Sequence, residues 1–128
     1  MTLVVDASAV AAVLFHEPEG ATIDAHTEGE TLIAPHLIDH ELANICWKRI
    51  RRDPSQAPAI LTMLSGLKSV AIQRVEVPAA EIAALASQTG LTAYDASYLW
   101  LAMSRDLELV TLDDRLARVN QALRERYA

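Results

Sequence analysis

The sequence predicts an α/β fold, a three-layer sandwich in which helices cover both faces of a central, mainly parallel sheet. Two observations carry that expectation. Short apolar runs alternate with longer helical stretches along the whole chain. The runs themselves, such as Leu3-Val4-Val5, are continuously apolar, as strands buried on both faces are.

Each element has its own signal. Leu3-Val4-Val5 forms the first strand and Asp6 ends it. Ala7 to Phe15 is a buried helix, stopped by the turn cluster Glu17-Pro18-Glu19-Gly20. Thr31 to Ala34 is a second strand, and Pro35, whose fixed φ suits a first helical turn, opens a long helix to about Arg52. Asp53-Pro54-Ser55 breaks that helix and starts another, which Gly66 ends. Val70 to Val77 is a third strand, and Pro78 and Gly90 bracket the next helix. Thr92 to Arg105 is helical, Glu108 to Thr111 is a strand, and Arg115 to Arg126 is a final amphipathic helix. No repeat, linker or low-complexity tract interrupts the pattern, so one domain is expected over 1–128.

Composition narrows the class. A chain of 128 residues buries roughly two-thirds of its unfolded surface, enough for one core without staples. The single cysteine, Cys46, excludes an internal disulfide and a cysteine-rich zinc module, and suits a reducing compartment. The longest apolar run, Ala9 to Phe15, is far short of the roughly 20 residues of a membrane span. Met1 to Asp6 lacks the basic region of a signal peptide. A cytoplasmic protein without a membrane partner is expected.

The net charge of −6 is unevenly placed. No Lys or Arg precedes Lys48, whereas eight acids do, so the first 47 residues carry −8 and the rest +2. Taken alone, the acidic total argues against a nucleic-acid partner, because phosphate binding usually shows as a basic excess.

Four acids change that inference. Asp6 directly follows the first strand, and Asp113 lies two residues beyond Thr111 at the end of the last. Ligands of open α/β sheets gather beyond the carboxyl ends of strands, where these side chains would sit. Each also precedes a helix, so capping is an equal explanation. Glu41 falls between Leu37 and Ile45 on the apolar arc of its helix, and Asp95 shares a face with Tyr98, Leu99 and Ala102. A carboxylate facing a core is costly unless paired or metal-bound. The local alternatives are a capping box in Thr92-Ala93-Tyr94-Asp95 and a salt bridge from Glu41 to Lys48 or Arg49. If the four converge, each pair about 4 Å apart repels by roughly 4 kcal/mol at an effective dielectric near 20. A hard cation, Mg2+ or Mn2+, would relieve that repulsion and recruit phosphate oxygens, which points to phosphodiester hydrolysis.

These residues, in this order and context, resemble the PIN domain, specifically the VapC-type toxins of type II toxin–antitoxin systems, over almost the whole chain. Val4-Val5-Asp6-Ala7-Ser8-Ala9 resembles the family's opening strand and first acid, and Pro35 to Arg52, with Glu41-Leu42-Ala43-Asn44, the helix with the second. Leu91-Thr92-Ala93-Tyr94-Asp95-Ala96-Ser97-Tyr98 is the most specific match and places the third acid at Asp95. Leu109-Val110-Thr111-Leu112-Asp113 resembles the closing strand and fourth acid, the T-x-D pattern selecting Asp113 over Asp114. The resemblance implies a Mg2+- or Mn2+-dependent endoribonuclease with catalytic residues Asp6, Glu41, Asp95 and Asp113, Asp6 and Asp95 being the expected metal ligands. It also implies a homodimer held inactive by a cognate antitoxin, whose C-terminal segment lies across the acidic groove. Ser8 and Thr111 would hydrogen-bond metal waters or position an acid, and a simple capping role is an equal explanation for Ser8.

Other readings fit less well. His36 and His40 at i and i+4 would share a helix face able to hold Zn2+, but the sequence offers no evident third ligand. Cys46 sits mid-helix as a structural cysteine would. A receiver-like signalling domain needs paired acids after its first strand and a late Lys; Asp6 stands alone and no Lys follows Lys68. A haloacid-dehalogenase-type phosphatase needs D-x-D, and Ser8 occupies the second position. A non-catalytic PIN-type binding module would have lost some of the four acids. Contacts to RNA phosphates are expected from Arg115, Arg118 and Arg126 on the last helix, whose exposed face equally suits an antitoxin. Tyr94, Trp47 and Trp100 are expected in the core or at a dimer contact rather than as base-stacking platforms.

Overall fold

The computed structural model describes residues 1–127. Strands β1 (Thr2–Val5), β2 (Thr31–Pro35), β3 (Ile72–Val75) and β4 (Glu108–Val110) form a sheet in the order β3-β2-β1-β4, with every pairing parallel. Val4 lies opposite Ile33 on one side and Leu109 on the other, and all three are buried. The strands therefore read as continuous apolar runs because both faces are covered.

Among the described residues seven α-helices cover it: α1 (Ala7–Leu14), α2 (Gly20–Thr27), α3 (Ile38–Arg52), α4 (Ala57–Ser65), α5 (Ala79–Thr89), α6 (Ala93–Ser104) and α7 (Asp114–Arg126). Right-handed crossovers that step from β1 to β2 and on to β3 lay their helices on one face. The last crossover steps back across the sheet to β4, which puts its helices on the other. The packing agrees: α1 meets α2 and α3, and α3 meets α4, whereas α6 meets α5, α7 and strands β1, β2 and β4. Helix α6 lies deepest, with Tyr98, Leu99, Leu101 and Ala102 all fully buried. The reversal of direction leaves a crevice beyond the carboxyl ends of β1 and β4, the neighbouring strands from which the chain departs in opposite senses.

The predicted α/β architecture is present, with three local differences. Pro35 ends β2, paired with Val75, instead of opening a helix; it has no N–H to give, and a strand's last residue needs none. Helix α3 accordingly begins at Ile38. The stretch 53–66 is not one helix, because Pro54–Gln56 forms a 3-10 turn capped by Asp53 before α4 begins. Helix α2 has no counterpart in the sequence reading, because its residues GATIDAHT bury only Gly20 and show no apolar stripe. Among the described residues no helix is long and apolar enough to cross a membrane.

Gly20 explains how α2 folds back on α1. A Cβ at this position would run into the Ala12 carbonyl of α1. Gly20→Ala is therefore expected to lower the unfolding free energy by about 1–3 kcal/mol, the usual range for overpacking. Urea unfolding measures this, and unchanged stability would show that α2 can move away from α1.

Candidate active site

Asp6 and Asp113 reach the crevice by the same device. Each follows a strand and caps a helix: Asp6 Oδ1 accepts from the Ala9 amide at 3.0 Å, and Asp113 Oδ1 from the Leu116 amide at 3.0 Å. Capping and a place in the site are thus not alternatives, since capping fixes each carboxylate beyond its strand.

Ser8 and Thr111 lace the two segments together. The Ser8 hydroxyl donates to Asp6 Oδ1 at 2.7 Å and accepts from the Leu112 amide at 2.9 Å. The Thr111 hydroxyl donates to Asp6 Oδ2 and accepts from the Asp113 amide at 3.0 Å. The Asp6 amide donates to the Val110 carbonyl at 3.2 Å. Asp6, only 4% exposed, thereby accepts three hydrogen bonds of the roughly four its carboxylate can take.

Helices α3 and α6 bring the other two acids. The buried Tyr98 hydroxyl of α6 donates to Glu41 Oε1 at 2.6 Å, tying the two helices together at the site. Asp95 stands in the first turn of α6, where the Thr92 hydroxyl accepts from its amide at 3.1 Å. Arg115, near the start of α7, donates to the Gly90 carbonyl at 2.7 Å, and its charge is close enough to Asp95 to favour the carboxylate.

The electrostatics show that the four acids share one field. Burial raises the pKa of Asp6, and the Asp113 charge raises it further, against the pull of its three hydrogen bonds. Burial likewise raises Glu41, aided by the charges of Asp95 and Asp6, against the Tyr98 hydrogen bond. Burial raises Asp95 too, aided by Asp113 and opposed by Thr92 and Arg115. The Tyr98 hydroxyl is pushed far up by burial and by its bond to Glu41, so it stays a donor. Among the described residues, the ion pairs formed engage none of these four carboxylates.

The donor set fits a hard divalent cation of the Mg2+ type. Among the described residues, no three Asp, Glu, His or Cys side chains stand together as a group that could hold an ion. Mg2+ does not ask for three, since it commonly takes one or two carboxylates and keeps waters or phosphate oxygens for the rest. Asp6, with about one acceptor position left, and the half-exposed Asp95 suit that pattern.

The family model for the PIN domain matches residues 3–122. The chain belongs to the PIN domain family. This PIN domain is 34% identical to Ribonuclease VapC3 of Pyrobaculum aerophilum, covering 96% of the chain and 98% of that protein. It is also 34% identical to a protein of the same organism named Exonuclease VapC9, over 88% of this chain and 80% of that one. The crystal structure of PAE2754 from Pyrobaculum aerophilum superposes with a TM-score of 0.76 at 33% identity, covering 93% of this chain and 84% of that one. The family match leaves no place for the receiver or phosphatase folds.

Several side chains of this PIN domain lie elsewhere than the sequence suggested. His36 precedes α3, so it does not share a helix face with His40, and both are exposed. Arg49 pairs with Glu17 and lies 4.4 Å above the Phe15 ring; it is not a partner of Glu41. Of the three aromatics expected in the core or at a dimer contact, Trp100 packs against the core, and Trp47 and Tyr94 are exposed. Cys46, by contrast, is buried and free in mid-helix, as expected of a structural cysteine. Tyr98 was visible only as an apolar-face residue; its spacing of three from Asp95 was the available hint of a role at the site. Arg115, expected at a phosphate, stands beside Asp95, a proximity for which the sequence holds no local signal.

The raised carboxyl pKa values set the sign of a pH effect. A carboxyl that holds its proton more tightly when folded gives the native state extra protons in the window above its ordinary value of 3.8 to 4.5. The metal-free protein is therefore expected to lose stability as pH rises through that window and to level off above the raised values. Asp95→Asn removes one of the repelling charges, so it should raise the metal-free melting temperature at pH 7 and flatten the pH slope. Calorimetry from pH 4.5 to 8 checks both, and a parent protein whose stability rises over that range would contradict the electrostatic picture.

Proposed function

We propose that this nuclease of the VapC kind is a Mg2+- or Mn2+-dependent endoribonuclease, the toxin of a type II toxin–antitoxin pair. The observation that carries the proposal is the set of four carboxylates, Asp6, Glu41, Asp95 and Asp113, whose charges act on one another where the strand order reverses and which, among the described residues, have no ion-paired cation. Asp6 and Asp95 would hold the ion. When bound, it supplies Lewis-acid polarisation of the phosphate and a lowered water pKa.

The chain's own groups do the remaining work. Ser8, Thr111 and the Ala9 amide hold Asp6 in one orientation, so little reorganisation is needed when substrate arrives. Glu41, its carboxyl raised by burial and its Oε1 held by Tyr98, is placed to take a proton. Asp113 closes the acidic ring, and Arg115 offers a positive charge beside Asp95 to a phosphate oxygen. A homodimer and an antitoxin laid across the acidic crevice complete the proposal. A non-catalytic binding module would have little use for all four acids.

A circular single-stranded RNA and a linear one of the same sequence test the reaction. Wild-type protein with Mg2+ is expected to open the circle, EDTA to stop it, and added Mn2+ to restore it. Asp6→Ala and Asp95→Asn should each lose on the order of 100-fold or more while keeping a native far-UV spectrum. Cleavage of the linear RNA alone would make the enzyme an exonuclease, and undiminished cleavage by both variants would remove the acids from the reaction.

Metal binding has a separate readout. Mg2+ at about 100 times its dissociation constant should stabilise the fold by roughly 2.7 kcal/mol. A melting temperature unmoved by millimolar Mg2+ or Mn2+ would contradict the metal assignment.

A further inference from the structure

We propose that the hollow between Tyr94 and the first turns of α3 is a subsite for one unpaired RNA base beside the scissile phosphate, with Tyr94 as its stacking face. The proposal rests on the ribonuclease reading above. The hollow has a volume of about 260 Å3 and is lined by Leu37, His40, Glu41, Asn44 and Tyr94. Pockets for drug-sized ligands run to roughly 300–1,000 Å3, so this one suits a single base better than a larger molecule.

Its position joins it to the acids. Glu41 forms part of its wall, and Tyr94 immediately precedes Asp95 on α6. Tyr94 is 63% exposed, while the α6 residues that follow Asp95, from Ala96 to Leu99, are all buried. Its ring is thus free to meet a ligand. An aromatic face stacks on any base, Leu37 offers an apolar surface, and the Asn44 amide and His40 ring offer donors and acceptors to a base edge.

The surroundings match a nucleic-acid strand. His40, Asn44, Trp47, Lys48 and Arg51 recur at helical spacing and are all exposed, forming one stripe along α3. Arg51 lies 4.6 Å above the Trp47 ring. The stripe grows basic with distance from the acid cluster, as the phosphates of a strand leaving that cluster require. A protein segment would need a longer apolar groove than this hollow provides.

The test compares wild type, Tyr94→Phe, Tyr94→Ala and Asn44→Ala on a pool of linear RNAs with a randomised centre, reading KM, kcat and the bases flanking each cut. Tyr94→Phe should behave as wild type. Tyr94→Ala should lose about tenfold in kcat/KM, chiefly through KM, with a flatter flanking-base distribution. Asn44→Ala should change which base is favoured. A parallel arm measures fluorescence anisotropy of a labelled RNA in EDTA, intact or with one abasic position. The preference for the intact strand should vanish in Tyr94→Ala, even if wild type proves unable to cut. That outcome would sink the catalytic reading and leave the subsite standing. Unchanged KM, flanking bases and abasic discrimination in Tyr94→Ala would overturn the subsite. So would a shift of that variant from dimer to monomer in sedimentation, which would make the hollow a contact between copies of the chain.

Discussion

Asp6 carries a carboxylate into the interior at the end of β1, and the arrangement around it follows from the need to hold that charge. Three hydrogen bonds answer it from Ser8, Ala9 and Thr111, and they draw the ends of β1 and β4 into one structure. They do not neutralise it. The Asp113 charge works against it from one side, and Asp6 in turn raises Glu41 on the other. A chain that gathers four acids in this way is less stable without a cation than an apolar filling of the same crevice would make it. Under the proposed function, that penalty is what a site kept for chemistry costs.

Topology makes the gathering possible. Because β1 and β4 are neighbours from which the chain departs in opposite directions, the helices that follow them start side by side, and their capping residues face one crevice. The glutamate on α3 and the aspartate on α6 come from opposite layers, and the Tyr98 to Glu41 hydrogen bond joins the two across the sheet's end. The same fold without this bond would still pack its core, but it would leave Glu41 free to turn towards solvent.

The strands and most helices were legible in the sequence because their signals are local: continuous apolar runs, Pro78 before α5, and Gly90 in the left-handed conformation after it. Helix α2 was not, since it is held by a close approach at Gly20, the packing of Ile23 and the His26 to Glu108 contact rather than by an apolar stripe. Pro35 was ambiguous because its fixed φ suits either a strand end or a helix start. At the site, the four acids stood out as carboxylates on apolar faces or after strands. Their lacing by Ser8 and Thr111 joins residues about a hundred positions apart, and the exposure of Tyr94 depends on how α6 lies against α3; neither has a local signal.

Crystals soaked in Mn2+ and measured at the manganese absorption edge test the cation most directly. An anomalous peak bonded to Asp6 and Asp95, with Glu41 and Asp113 around it, is the expected result. A peak only at surface groups such as His36 or His40, or none in the crevice at millimolar Mn2+, would contradict the metal-dependent site.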